Sequence, residues 1–497
     1  MKSFNQYNKH IYSLLILTIA FVGVGCKKNF LDVPPQAQTE ATQFWVNAAD
    51  ADKAVYAMYA NLRSWPQVAF APIALESLGS DDTETGSDPS DGSVPFMNTY
   101  NNFTVTSTQG QLSDFWNGCY QEINLCNQVL DNIPNITMDA SLKARYLAEA
   151  KFIRAYEYFR LVRAFGDVPL RLHVPKDASE YNLPRTPKAD VWAAVEQDLT
   201  DAAGVLPQTY SGADIGRATK GAALAFHAKV AMYQQKWADV KSYTEQVMGL
   251  GYSLFANYEQ LFRVANENSS ESVFEIQASL VDGNSAASNS QYSQVQGVRG
   301  TVGGWGFHVP TSNLVSEYEP GDPRKDATII FRGETTPEGD IIPPTGSNPM
   351  FNQKSYVPFT AIISGYTEGS QQNIRVMRYA EVLLMNAEAN NELGNSAAAL
   401  ASLELVRARA RANSTNPATM VPAVTTTDQA ALRTAIYHER RVELAMEFDR
   451  YFDVIRQGRA ATVFGPLGWQ ANKNEIWPIP ESEIQLSAGT LTQNPGY

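Results

Sequence analysis

Three cysteines in a chain of 497 residues cannot make a disulfide framework. Cys119 and Cys126 stand two helical turns apart, about 10 Å by helix rise, beyond the reach of a disulfide. They read as small buried apolar side chains. Histidine is as scarce: His10, His173, His227, His308 and His438 are scattered, and no pair has ligand spacing, so no metal and no cofactor is expected. Charge is sparse too, and the net value of −13 argues against a nucleic-acid footprint. No Gly-x-Ser-x-Gly, His-Glu-x-x-His, Cys-x-x-Cys or phosphate loop occurs. Past Val24 no apolar run is long enough to span a membrane. What remains is a chain 44% hydrophobic and 11% aromatic, which suits a folded protein with a substantial core. Many aromatics with few charges suit a surface for an amphipathic ligand, and a sugar, with C–H faces and hydroxyl edges, is one.

The first 25 residues read as an export signal. Lys2 and Lys9 give the positive end and Ile11–Val24 the apolar core. Gly23-Val24-Gly25 before Cys26 marks a lipoprotein cleavage site, with Cys26 carrying the acyl chains that hold the protein to a membrane. Lys27–Gln38, with Pro34-Pro35, is a tether. Helical periodicity then predicts helices over Phe44–Arg63, Leu112–Asn132, Ser141–Phe165, Asp190–Leu206, Thr219–Gln234, Ala238–Gly249, Arg375–Leu393, Ser396–Arg411 and Leu432–Gln457. In the third, Ala148, Phe152, Ala155, Phe159 and Val162 form one stripe of alternating small and large residues. Such a stripe lets a neighbouring helix approach closely, as in tetratricopeptide pairs. Trp65–Val105 reads as a long irregular region. Glu271–Asn373 is rich in Gly, Ser, Asn, Gln and Pro, with Trp305 between glycines as a rigid aromatic loop.

The carboxylates give no catalytic pattern. Glu439, Glu443 and Glu447 stand on successive turns of one helix, which does not set two acids either side of a sugar bond. On the same face, Glu447–Arg450, Arg450–Asp453 and Asp453–Arg456 are spaced to pair. Asp81, Glu84 and Asp91 offer oxygens to Ca²⁺, but Gly92 stands where an EF-hand needs Glu, so the region reads as turns or ligand hydrogen bonds.

The wording of the third helix is more specific than its period. Ala148-Glu-Ala-Lys-Phe-Ile-Arg-Ala-Tyr-Glu-Tyr-Phe-Arg-Leu161, followed by Phe165-Gly-Asp-Val-Pro-Leu170, resembles the signature helix of the SusD/RagB family of outer-membrane nutrient-binding lipoproteins. Cys26 with Phe30-Leu31-Asp32, Asp322-Pro323-Arg324, Glu439-Arg-Arg-Val-Glu-Leu444 and the Trp477–Tyr497 tail extend the likeness nearly end to end. The resemblance implies a mostly α fold, an α-α superhelix of four tetratricopeptide-like pairs with an irregular, loop-rich binding half. It divides the chain into a signal (1–25), an N-terminal helical region (26–265) and a C-terminal region (266–497) that includes the loop-rich insert 271–373. It implies a non-enzyme, lipid-anchored in the outer membrane and facing the cell exterior. Such proteins sit as lids on a SusC-type TonB-dependent transporter and capture oligosaccharide or, in some members, peptide. The other classes weighed are a surface glycoside hydrolase and a helical-repeat scaffold for other proteins. For a glycan, the candidate platforms are the aromatics outside the predicted helices, Trp65, Tyr100, Tyr292 and Trp305, with Asp81, Asn101 and Gln294 as polar partners.

Overall fold

The computed structural model of the protein describes residues 44–281, 287–301, 304–362 and 369–497. The signal, Cys26 and the tether lie outside them. Helix α1 (Ala48–Asn61) opens with a reciprocal cap: the Asn47 side chain accepts from the Asp50 N–H, and the Asp50 carboxylate accepts from the Asn47 N–H. Helix α2 (Gly110–Asn132) is unbroken, and Cys119 and Cys126 along it are buried free thiols. Helix α3 (Ala140–Phe165) starts at Asp139, whose carboxylate accepts from the Leu142 N–H at 2.8 Å, and stops at Gly166, where φ is 74°. The whole Ala148–Val162 stripe is buried, and Phe152 and Phe159 meet Phe226 edge-on at 5.6 and 6.2 Å. Helices α4 (Lys188–Val205), α5 (Lys220–Tyr233) and α6 (Trp237–Met248) follow, each packed on the one before. Helices α7 (Tyr379–Glu392) and α8 (Ser396–Ala412) form a further pair turning at Gly394, and α7 packs directly on α6. The architecture is the expected mostly α one, built from helix pairs.

The long segment between α6 and α7 is therefore an excursion from a continuous helix stack. Its strands are short: β1 (Thr83–Gly86), β2 (Ser272–Ile276), β3 (Phe307–Pro310), β4 (Ile329–Phe331), β5 (Met350–Asn352) and β6 (Ile374–Arg378). They make three antiparallel ribbons, β1–β3, β2–β6 and β4–β5. Ribbon β2–β6 joins the two ends of the excursion. Ribbon β1–β3 ties its middle to the N-terminal half.

Three expectations need correction. Residues 65–105 are not irregular throughout: Trp65–Val68, Phe70–Pro72 and Ile73–Leu78 wind as helical turns, and Val94–Asn101 is a helix. Pro66 and Pro95 stand in first turns, where their fixed φ starts a helix. Residues 374–378 are strand rather than helix, because pairing with β2 outweighs local propensity. The charged segment is not one helix. It divides into α9 (Gln429–Leu444) and α10 (Arg450–Arg456), and between them Met446 and Phe448 take left-handed φ of 67° and 70°. Of the three pairs expected along it only Asp453–Arg456 forms, at 2.7 Å. Glu447 instead meets Arg378 and Lys354, both at 2.7 Å, and Arg450 meets Asp81 at 2.8 Å.

The acids of α9 lie in a buried lattice of ions. Arg324, with no exposed surface, contacts Asp322 (2.7 Å), Glu439 (2.5 Å) and Glu443 (3.2 Å). Arg378 contacts Glu271 (2.5 Å) and Glu443 (3.0 Å), and Arg409 bridges the same two acids at 3.0 and 2.6 Å. Arg407 holds the second oxygen of Glu439 at 2.6 Å. Burial alone would raise the Glu443 carboxyl; Arg409, Arg378 and Arg324 overcome that and bring it down from 4.5 to about 2. A folded value below the unfolded one gives stabilisation that is complete above pH about 4.5 and lost as pH falls toward about 2. The drop is worth on the order of 3 kcal/mol. Glu443→Gln is expected to lose about that much at neutral pH, and its deficit against wild type should shrink as pH falls from about 5 to about 3. Urea denaturation across that window reads this out, and a constant deficit would count against it.

Candidate ligand-binding surface

The aromatic side chains of the first helical turns meet those of the excursion at the Gly86–Phe307 end of ribbon β1–β3. Phe307 is buried and takes Phe70 edge-on at 4.8 Å, forming a floor. Above it Phe70 and Trp305 lie 6.0 Å apart and 29° from parallel. Trp65 completes the group, 6.2 Å from Trp305 and 5.5 Å from Phe70. Trp65, Phe70 and Trp305 all keep part of their surface in solvent. The loop under Trp305 is pinned by its backbone. The Trp305 N–H donates to the Gln294 carbonyl at 2.9 Å, and the Gly306 N–H donates to that of Gly297 at 2.8 Å. The Trp305 carbonyl accepts from Ser87 Oγ (2.9 Å) and Arg299 Nη1 (3.1 Å). Gly306 has φ of 76°, and a Cβ there would come within 2.7 Å of the Arg299 Cβ, so glycine is needed. A group of aromatic faces on a fixed backbone can stack against C–H surfaces at small entropic cost.

Beside strand β1 runs an open cleft of about 2140 Å³, lined largely by hydroxyl and amide side chains, among them Thr83, Thr85, Asn98 and Asn313. Four of its charged groups, Asp81, Glu317, Arg441 and Arg450, answer one another. Asp81 accepts from Arg450 Nε (2.8 Å) and Nη2 (3.0 Å) and pairs with Arg441 at 2.9 Å. Burial alone would lift the Asp81 carboxyl; these two guanidiniums hold it below its ordinary value. Arg441 also contacts Glu317 at 2.7 Å.

Models of two kinds match this chain: one described as the SusD family over residues 270–497, the other as starch-binding, associating with outer membrane, over residues 29–232. A solved laminarin-binding SusD-like protein superposes with a TM-score of 0.79 at 31% identity, covering 91% of this chain and 100% of that one. The chain belongs to the SusD family. SusD-like protein P2 of Formosa agariphila is 28% identical over 98% of this chain and 99% of its own length. The starch-binding protein SusD of Bacteroides thetaiotaomicron is 24% identical over 76% of this chain and 77% of its own.

The residues singled out from sequence divide into three groups on this SusD-family fold. Trp65 and Trp305, 240 positions apart in sequence, come together as one surface, with Gln294 beside them through its backbone bond to Trp305. Gln294 is part-exposed, and its side-chain oxygen is buried without a hydrogen-bond partner. Asp81 and Asn101 line the cleft, yet both are already engaged. Asn101 donates to the carbonyls of Leu78 (2.6 Å) and Thr83 (2.9 Å) and accepts from Thr85 Oγ1 (2.8 Å), so its amide fastens β1. Tyr100 and Tyr292 are not platforms. Tyr100 has no exposed surface and packs edge-on to Trp477 at 5.5 Å; Tyr292 is 9% exposed and packs on Phe448 at 6.3 Å. Both stand in short helices that turn them inward, which the glycine- and proline-rich surroundings concealed. Phe70 and Phe307 were missed. Phe70 is five residues after Trp65, and Phe307 two after Trp305, so a search for paired aromatics in both segments would have found them.

Two polar groups near the ribbon are structural. His308, at φ 57°, donates from Nδ1 to Gln296 Oε1 at 2.6 Å and accepts at Nε2 from Ser77 Oγ at 2.7 Å, and burial lowers it to about 3, so it stays neutral. The Tyr100 hydroxyl is buried with no hydrogen-bond partner. Tyr100→Phe is therefore expected to leave ligand binding unchanged and to raise stability by about 1 kcal/mol, since an unsatisfied buried hydroxyl is removed. Chemical denaturation measures this, and a loss of stability would reveal a partner for the hydroxyl.

Proposed function

We propose that the protein is a non-catalytic surface lipoprotein that captures a neutral oligosaccharide on the Trp65–Phe70–Trp305 face and delivers it to a SusC-type TonB-dependent transporter. The observation that carries this is the pinned aromatic group: three part-exposed rings on backbones fixed by hydrogen bonds. Glycan-binding relatives in the SusD family support it, and the laminarin-binding structure makes a glucan the first ligand to try. Glu439 and Glu443 of α9 and Glu447 just after it support a binding rather than a hydrolytic role, since each is tied to cations in the interior. Aromatic stacking of about 0.5–1.5 kcal/mol per face, with hydrogen bonds, gives micromolar to millimolar affinity. That range suits a protein that must release its cargo to a partner.

Calorimetric titration with laminarihexaose and maltohexaose tests the site. Trp305→Ala and Trp65→Ala are each expected to weaken binding about tenfold with unchanged melting. Wild-type affinity in both would move the site elsewhere. The anchor is tested separately. Cys26→Ser is expected to give a protein that takes up no labelled fatty acid and leaves the membrane fraction. Retention at the wild-type level would refute lipid anchoring at that residue.

A further inference from the structure

The cleft beside β1 begins where the aromatic face ends. Gly86 and Ser87 line it. The same Ser87 fixes the Trp305 loop: its N–H donates to the Gly306 carbonyl at 2.5 Å, and its Oγ donates to the Trp305 carbonyl at 2.9 Å. A pocket of ~300–1000 Å³ holds a drug-sized molecule. At about 2140 Å³ the cleft has room for several sugar units in a row. Three acids, Asp81, Glu84 and Glu317, and three arginines, Arg441, Arg450 and Arg459, line it, so its walls carry no net charge. That balance suits a neutral chain rather than an ion.

The pairing within this balance is uneven. Arg441 and Arg450 share Asp81, and Arg441 takes Glu317 as well. Arg459 reaches no acid. It donates from Nη1 to Gln457 Oε1 at 3.1 Å and lies over the Tyr437 ring at 5.7 Å, while its Nε and Nη2 have no partner among the described residues. It is half-buried, and burial with Arg450 nearby lowers it from the ordinary arginine value. Glu84 is exposed on the same cleft and has no side-chain partner among the described residues. Asn98, Ser312 and Thr462 are exposed and unengaged in the same way. A guanidinium only donates, a carboxylate only accepts, and amides and hydroxyls do both. Together they complement a row of sugar hydroxyls. Val463, Pro466 and Leu467 add a part-exposed apolar rim for C–H faces. We propose that the cleft holds the units of a long neutral glycan that run on past the aromatic face, and that Arg459 and Glu84 select that chain through its hydroxyls. The proposal rests on the reading of the aromatic face as the glycan site and adds a chain-length requirement to it.

Calorimetric titration by chain length tests it, with laminaritriose against laminarihexaose and maltotriose against maltohexaose. The wild-type protein is expected to bind the hexasaccharide of its preferred series about tenfold tighter than the trisaccharide. Arg459→Ala and Glu84→Ala should each weaken the hexasaccharide about fivefold and leave the trisaccharide unchanged, whereas Trp305→Ala weakens both. Equal affinity for three and six units, or wild-type hexasaccharide affinity in either cleft variant, overturns the proposal. So does a crystal with the hexasaccharide bound and its ordered units ending at Ser87. The two readings fail separately. No binding at any length, or binding untouched by Trp305→Ala, strikes the aromatic face. Binding that depends on Trp305 but not on chain length strikes the cleft alone.

Discussion

Charge buried without water must be answered by charge, and in this protein that demand joins described segments that are far apart in the chain. The acids of α9 are met by Arg324 from the excursion, Arg378 from β6 and Arg407 and Arg409 from α8. A second group continues it. Asp449 takes Lys229 of α5 at 2.8 Å and Arg163 of α3 at 3.3 Å, and Arg163 also holds Glu76 at 2.7 Å. Pairs of this kind return little net energy over well-packed apolar residues, but breaking one strands an ion in the interior. Their effect is to fix which surfaces meet.

The break between α9 and α10 follows from the same demand. A continuous helix would carry Glu447 and Arg450 along one face. Left-handed turns at Met446 and Phe448 send them to different partners, Glu447 to Arg378 and Arg450 to Asp81. Non-glycine residues in that conformation cost on the order of 1–3 kcal/mol each, and the buried pairs offset it. Asp81 then stands two residues from β1, whose pairing with β3 sets Phe307 beneath Phe70. The placement of the aromatic face thus traces back to the ionic interior.

How much of this could be read from sequence depends on range. The α3 stripe was legible because Ala148, Phe152, Ala155, Phe159 and Val162 repeat at helical spacing, and burial follows the repeat. The helix pairs were legible on similar grounds or by resemblance; Trp65 and Trp305 were legible as candidate platforms, but their meeting was not. The break at Met446 was not. Within the helix the charges pair acceptably at three-residue spacing, and it is Arg378, Lys354 and Asp81, far off in the chain, that make the broken form better. The burial of Tyr100 escaped for a related reason. Its helix is short and starts at a proline, so its surroundings look like loop, while Trp477, which covers it, is 377 positions away.

Ribbon β2–β6 has a bearing on how such a protein changes over time. It brings Ile276 opposite Ile374, so the excursion leaves and re-enters the helix stack at one point, and α6 and α7 meet as though it were absent. A segment inserted through closed ends can vary in its exposed loops without shifting the helices that carry it, provided that Arg324 and Lys354, which answer the buried acids, are kept. Recognition loops can then diversify at their own pace while the superhelix is retained, and transplanting the excursion between relatives at the β2–β6 neck becomes a practical route to new specificity.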